Sequence, residues 1–339
     1  MGKAGPRLKD IAEHTGFSVN TVSLALRDSP RIPPETRKKI RLAADQLNYL
    51  PNQIAQSLVS RETKSIGLIL TDLQNPVLTH VAQAIETELA KRGYATLFAT
   101  SNNNLAEEAK MVELFRQRRA DGMLIFPCSH RRLEHIKRLR DRNYPVVLLV
   151  GDPDAGIDAV SMDERAGAYA ATRHLLDIGH RKIALVDGAQ TLGNTEKIEG
   201  YRQAHADCGV EIDRSIEIDP TDHSVAAGYW AMAKLMARNV RFSGLFASND
   251  SLALGVLRYC TKHGIRVPEN LSIVGYDNIE FGEYATTPLT SVDYDVERVS
   301  SMAVERVIGL IRSEDALPAP NVLQIEPNLI VRQSTMPKA

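Results

Sequence analysis

From residue 65 onward the chain alternates short apolar runs with amphipathic stretches. "SIGLILT" precedes "VAQAIETELAKRG", "YATLFAT" precedes "EEAKMVELFRQRRA", and "GMLIFP" precedes a basic helical segment and then "PVVLLVG". A second series follows through "AVSMD", "AGAYAATRHLLDIG", "KIALVDG", "IEGYRQAHADCG", "GYWAMAKLMAR", "SGLFAS", "LALGVLRYCTKHG" and "LSIVGYD". Strands that are apolar on both faces belong in parallel sheets covered by helices on each side. Alternation with helices makes right-handed crossovers and doubly wound sheets. Two such series exceed one sheet, so the expected α/β body has two subdomains, with a ligand cleft between the carboxyl ends of their strands. Asp72, Asn75, Ser101, Asn102, Asn249, Asp250 and Asp277 directly follow apolar runs. They offer the carboxylates and amides that fix a polyhydroxylated ligand, although each taken singly also suits a turn or a helix cap.

The first sixty residues follow a different pattern. "LKDIAEHTG" is a short amphipathic helix with Gly16 as its C-cap, and Ser18 caps a second helix whose inner face is expected to be Val19, Val22 and Leu26. A third helix starts at Pro34 and Glu35 and buries Ile40, Ala43, Ala44 and Leu47. Two short helices joined by a tight turn make a helix-turn-helix. Its second helix carries Ser18, Asn20, Thr21 and Ser23, residues that helix interiors favour little. Set in a major groove, such short side chains let the backbone come close, an amide can pair with adenine, and a methyl can touch thymine. Asn20 and Val19 are the leading base readers, while Ser18 and Thr21 suit phosphates as well.

Charge supports that reading. Residues 1–64 hold 11 Lys and Arg against 6 Asp and Glu, whereas the remainder holds 30 against 36. A basic head on an acidic body is the asymmetry of a chain that meets a polyanion with one part, and a merely solvated basic face gives the same count. The linking stretch "LPNQIAQSLVS" is broken by Pro51 and is too short for a stable lone helix, so it is expected to order against a partner. A leucine at the end of such a segment can open a base step from the minor groove.

Other function classes find little support. No GxxxxGK[ST], GxSxG or HExxH motif and no glycine fingerprint after the first strand is present, so an enzyme is not expected. Cys128, Cys208 and Cys260 are scattered singly, as small buried hydrophobes rather than disulfides or metal ligands, and no cofactor or metal is expected. "MGKAGPRLKD" has no apolar signal region and no run reaches spanning length, so the cytoplasm is the expected location, where an operator-bound protein lies on the nucleoid. A transport-type binding protein would need a signal peptide and no head. A regulator answering to a protein partner remains a rival.

The stretch "LKDIAEHTGFSVNTVSLALRDSPRIPPETRKKIRLAADQLNYLPNQIAQSL" resembles the DNA-binding head and hinge helix of the lactose-repressor/galactose-repressor family of transcription regulators. The resemblance continues through "GHRKIALVDG", "FASNDSLALGV", "VPENLSIVGYDNIEF" and "TPLTSVD". It implies a helix-turn-helix head (1–50), a hinge helix and linker (51–63), and a periplasmic-binding-protein-like body (64–339) for effector binding and dimerisation. The N-subdomain would be 64–161 with 293–321 and the C-subdomain 162–292 with 322–339, and the chain would cross near 160–163, 291–294 and 320–323.

By position the resemblance places Ser18, Val19, Asn20, Thr21, Ser23, Leu24, Asn52, Ala55, Gln56 and Leu58 at the DNA, with Leu58 the minor-groove wedge. Leu24 and Gln56 stand where arginines are common. In the cleft it raises Asn249 and Asp277 and places Lys197 where a ligand-binding arginine is usual, so the bidentate fork is lost. Val77 and Leu78, and a polar run around His223, occupy places that often hold aromatic rings. The implied protein is a homodimeric repressor of sugar or carbon-source genes that binds a near-palindromic operator under the control of a small effector.

Overall fold

The computed structural model describes residues 6–49, 62–151, 153–188, 194–220, 222–313 and 316–338. The chain divides into two compact units, Met1–Thr63 and Lys64–Ala339.

In the first unit, α1 (Leu8–Thr15), α2 (Val19–Leu26) and α3 (Pro34–Gln46) surround a small core. Gly16 ends α1 at φ 77°, a left-handed conformation that glycine adopts without steric cost, and its N–H returns to the Ala12 carbonyl. Ser18 caps α2 by accepting the Thr21 N–H at 3.1 Å. Pro34 opens α3, where a missing N–H loses nothing. Ile11, Val22, Ala25 and Ile40 are fully buried. Val19, expected on the inner face of α2, is instead 44% exposed. The seam against α1 and α3 is taken by Val22 and Ala25, and a step of three back along α2 reaches Val19 in its first turn, beyond that seam. Asn52, Ala55, Gln56 and Leu58 lie outside the described residues.

The second unit holds two sheets. The first contains β1 (Ser65–Leu70), β2 (Ala95–Thr100), β3 (Gly122–Ile125), β4 (Val146–Leu148), β5 (Asp158–Met162) and β11 (Val322–Ile325), in the order β11-β5-β4-β3-β1-β2 and all parallel. Around it run α4 (Pro76–Lys91), α5 (Leu105–Gln117), α6 (Glu134–Asp141) and α12 (Val296–Ile311). Its strands feed a core on each face: Ile66, Leu68 and Leu70 of β1 join one cluster and Ile69 the other. The second sheet contains β6 (Ile183–Val186), β7 (Glu217–Ile218), β8 (Gly244–Ala247), β9 (Ser272–Asp277), β10 (Thr290–Asp293) and β12 (Asn328–Ile330), in the order β12-β10-β9-β8-β6-β7. Only β12 among these described strands is antiparallel to its neighbour. The helices α7 (Glu164–Asp177), α8 (Glu196–Asp207), α9 (Val225–Ala237), α10 (Asp250–Lys262) and the short α11 (Glu280–Glu283) belong to this lobe.

The chain leaves the first sheet after Met162, returns to it after Asp293, and crosses a third time between Ile325 and Asn328. The last crossing falls beyond the expected 320–323, and 322–325, expected in the C-subdomain, form an edge strand of the first sheet. Pro318 and Pro320 mark the approach to that strand rather than the crossing, since proline is excluded from the ladder itself. Asn321 fastens the entry by donating its N–H to the buried Asp158 carboxylate at 3.1 Å. Arg306 of α12 bonds the same carboxylate, and Arg140 of α6 lies 3.4 Å away.

Candidate functional sites

At the start of α2, Ser18, Val19 and Asn20 stand exposed together, with Thr21 and Ser23 half-buried behind them. Ser18 spends its oxygen on the helix end and on the Thr21 hydroxyl at 2.9 Å. Ser23 accepts a guanidinium hydrogen bond from Arg27 at 2.8 Å. Leu24 is turned partly into the head's core, which withdraws it from the face where the sequence placed it. What remains outward is an amide, a branched apolar group and a capped helix N-terminus, the chemistry needed to approach a groove edge.

The cleft of the body encloses about 390 Å³ and is built at the carboxyl ends of both sheets. Thr71 and Asp72 follow β1, Asn103 follows β2, and Phe126, Cys128 and His130 follow β3. From the other lobe come Asp187 after β6, Asp219, Asp222 and His223 after β7, Ser248 and Asn249 after β8, and Asp277 at the end of β9. Glu164 and Tyr294 sit beside the first two crossings.

Six of the nine sequence-predicted ligand residues meet in this wall: Asp72, Asn75, Lys197, His223, Asn249 and Asp277. Ser101 and Asn102 do not. Ser101 is fully buried and its hydroxyl bonds the Leu70 carbonyl and the Cys128 sulfur. Asn102 and Asn103 are consecutive left-handed residues, so the chain swings Asn102 back toward Thr100 and sends Asn103 to Asp72, 3.3 Å away. Asp250, expected to anchor ligand, is tied up inside the lobe. Its carboxylate accepts the Ile279 N–H at 2.9 Å and the Ser291 hydroxyl at 2.7 Å, and burial together with Asp277 pushes its pKa well upward.

Capping and lining are combined in two of the amides. Asn75 caps α4 through the Val77 N–H and hydrogen-bonds Asp277 as well. Asn249 caps α10 through the Leu252 N–H at 2.8 Å, which leaves its NH₂ group for the cavity. Lys197 donates to the Ser248 carbonyl at 3.0 Å, lies 3.5 Å from Glu164, and sits 3.9 Å over the Tyr276 ring. Burial opposes its charge, but Glu164, Asp277 and Asp187 outweigh burial and raise its pKa. Asp277 is lifted by burial to about 7, with Glu164 adding to the rise and Lys197 and Asn75 opposing it. Enclosure in the cleft and the Lys197 ammonium lower the pKa of His223, against the pull of Asp187, Asp72 and Asp222.

Sequence reasoning missed Glu164, Asp187, Asp219, Asp222, His130, Phe126 and Tyr294. Asp187 and Glu164 carried the same signal as Asp72, a polar residue just past an apolar run. His130 carried none. It reaches the other lobe through a loop, its ring 3.0 Å from Glu196 and its N–H donated to Asn194 at 2.9 Å. Asn194 donates back to the Cys128 carbonyl, and Arg131 lies 3.7 Å from Glu199, so a clasp joins the lobes across the mouth. Val77 and Leu78 do line the wall in place of rings, but Phe126 and Tyr294 supply aromatic surface from other strand ends. Among the described residues one group could offer three metal donors, His130, Glu164 and Glu196, whose ligand atoms lie within 4.8 Å of one another. As placed, His130 pairs with Glu196 and Glu164 with Lys197. All three cysteines are free, Cys128 and Cys260 buried and Cys208 half-buried. No described helix is long and apolar enough to cross a membrane.

Residues 7–52 match the family of bacterial regulatory proteins of the lacI type, and residues 172–335 match the periplasmic binding protein-like domain. The HTH-type transcriptional regulator DegA of Bacillus subtilis (strain 168) is 32% identical over 333 residues, 97% of each chain. A transcriptional regulator CelR in complex with cellobiose is similar in structure, with a TM-score of 0.72 and 28% identity over 97% of this chain and 99% of that one. The Lac repressor dimer bound to operator and an anti-inducer shares the fold with a TM-score of 0.88, at 22% identity over 98% and 100% of the two chains. These relatives are transcription regulators, not enzymes. The chain therefore belongs to the lacI family of bacterial regulatory proteins, DNA-binding transcription regulators that carry a helix-turn-helix head on a periplasmic-binding-protein-like body.

Proposed function

We propose that this chain is a homodimeric cytoplasmic repressor of sugar or carbon-source genes, whose hold on a near-palindromic operator is set by a small polyhydroxylated ligand in the interlobe cleft. The observation that carries the reading is the cleft itself: carboxylates and amides from both sheets converge there beside the apolar surface of Val77, Leu78, Phe126 and Tyr294. Amides and carboxylates satisfy hydroxyls, and the apolar wall covers the C–H face of a sugar ring. Dimer formation is supported by Phe281 on α11 and Tyr284 just after it, 63% and 76% exposed, and by Phe98 on the edge strand β2. A two-fold protein matches a two-fold operator, so paired heads read paired half-sites. Ser18, Val19, Asn20 and Thr21 contact each half-site, and the stretch holding Asn52, Ala55, Gln56 and Leu58 meets its centre.

Ligand held by groups of both lobes favours their closed arrangement. Operator affinity then changes by the difference between the ligand's affinities for the two arrangements. The test is selection of duplexes from a random library by the full-length protein at fixed salt, since phosphate contacts dominate raw affinity. An enriched near-palindrome, whose binding then changes with one class of sugar, is the expected result. Enrichment of no sequence would overturn the operator role, and an operator indifferent to every sugar would overturn the effector class.

A further inference from the structure

We infer that the ligand of the cleft carries a positive charge, and that its class is a polyhydroxylated amine rather than a neutral or phosphorylated sugar. The inference rests on the cleft being the effector site proposed above, and it goes on to name the chemistry of the occupant. Six carboxylates line the wall: Asp72, Glu164, Asp187, Asp219, Asp222 and Asp277. Among the described residues the only lysine or arginine in that wall is Lys197. Its ammonium is already engaged by the Ser248 carbonyl, Glu164 and the face of Tyr276.

His223 stands among three of these carboxylates. Asp72, Asp187 and Asp222 all act on that imidazole, while enclosure and Lys197 hold it toward its neutral form. Asp187 is 1% exposed, so part of this negative charge is removed from bulk water and weakly screened. Helix N-termini at this end of the sheets would ordinarily welcome an anion. Three of them are taken by side chains of the protein, Asn75 on α4, Asp163 on α7 and Asn249 on α10, and the first turn of α8 carries the carboxylates of Glu196 and Glu199. A phosphate entering the cleft would meet carboxylates and find those N–H groups occupied. An ammonium would meet acceptors at a fixed, paid-for position, and hydroxyls beside it would find the amides of Asn75 and Asn249.

The test is calorimetric titration of the full-length protein with matched sets: glucosamine, galactosamine and mannosamine, the parent neutral hexoses, and the corresponding 6-phosphates. Each set is run at low and high NaCl and with or without EDTA and magnesium. The expected result is that an amino sugar binds at least about tenfold more tightly than its parent, with affinity falling as salt rises. Asp222→Asn, at the exposed mouth, and Asp72→Asn should each weaken the amine about five- to tenfold more than they weaken the parent hexose. Equal binding of amine and parent, or tighter binding of a phosphate, overturns the charge inference and leaves the effector role of the cleft standing. Neutral hexose binding that appears only with magnesium also overturns it, assigning the positive charge to a metal at His130, Glu164 and Glu196. Binding by no set, while the operator is still selected, overturns both the inference and the sugar-effector reading.

Discussion

Asn75 and Asn249 each serve twice: the amide oxygen ends a helix and the residue lines the cleft. Their helix-capping and ligand-lining readings are thus compatible, because a helix that starts at the carboxyl end of a parallel strand puts its cap at the ligand. Asn20 has a different position, exposed in the first turn of α2. Asn20→Ala should cost about 1–3 kcal/mol at one symmetric pair of operator positions. Base preference measured over single-position operator variants checks this, and an unchanged preference removes Asn20 from the readers. Asp277 makes a prediction in pH. Its carboxyl titrates near 7 in the fold against 3.8 when unperturbed, so between those values the folded protein holds a proton that the unfolded chain has lost. Stability contributed there falls as pH rises from about 4 to about 7 and is level above. The groups facing it are Lys197 of α8, Glu164 of α7, Asp250 of α10, Asn75 of α4 and the rings of Tyr276 and Tyr294. In ligand-free protein, urea midpoints should fall across that window, and Asp277→Asn should flatten that component of the slope.

Among elements, helix pairs in the second lobe lie almost backbone to backbone. A Cβ placed on Gly200 of α8 would stand 2.1 Å from the Arg165 carbonyl oxygen and 2.8 Å from the Tyr169 nitrogen of α7. Neither backbone group can rotate away, so Gly200→Ala must push α8 off α7, costing about 1–3 kcal/mol or more, read as a lowered thermal midpoint. No loss would mean that the pair is looser than its geometry. The first lobe is held partly by charge. Asp158 of β5 is fully buried between Arg306 of α12, Arg140 of α6 and the Asn321 N–H. Asp158→Ala leaves two guanidinium groups facing a hole and should destabilise by about 3 kcal/mol, measured by chemical denaturation. β11 depends on the same carboxylate, so its amide hydrogens should exchange faster in that variant.

At the scale of the whole molecule, the two lobes are joined through the three crossings, through the hydrogen bond of Asn75 with Asp277, and through the clasp of His130 with Glu196 and Asn194. Contacts of this kind are where a ligand bound in the cleft can favour one arrangement of the lobes over another. Coupling through such a two-state body is reciprocal. If a cleft ligand changes operator affinity by some factor, saturating operator must change ligand affinity by the same factor. Titrations of ligand with and without operator duplex measure both, and unequal factors would mean that more than one ligand site is linked to DNA.

The sequence by itself determined the class of each part. Apolar runs alternating with helical stretches pointed to helix-covered parallel sheets, and the capped short helices of the front to a small three-helix head. These signals are local, a period of two or 3.6 and a cap beside it. Local too was the rule that placed Asp72, Asn75, Asn249 and Asp277 at the cleft, since the first polar residue past a buried strand lies at its carboxyl end. Tertiary structure decided the rest. It chose Asn103 over Asn102 by the sense of a left-handed turn, drew Asp250 inward onto Ser291 and the Ile279 N–H, and set β11 against β5. It also brought His130 to Glu196 across 66 residues of chain. Each of these depends on which distant group arrives within hydrogen-bond reach, and no periodicity in the neighbouring residues encodes that arrival.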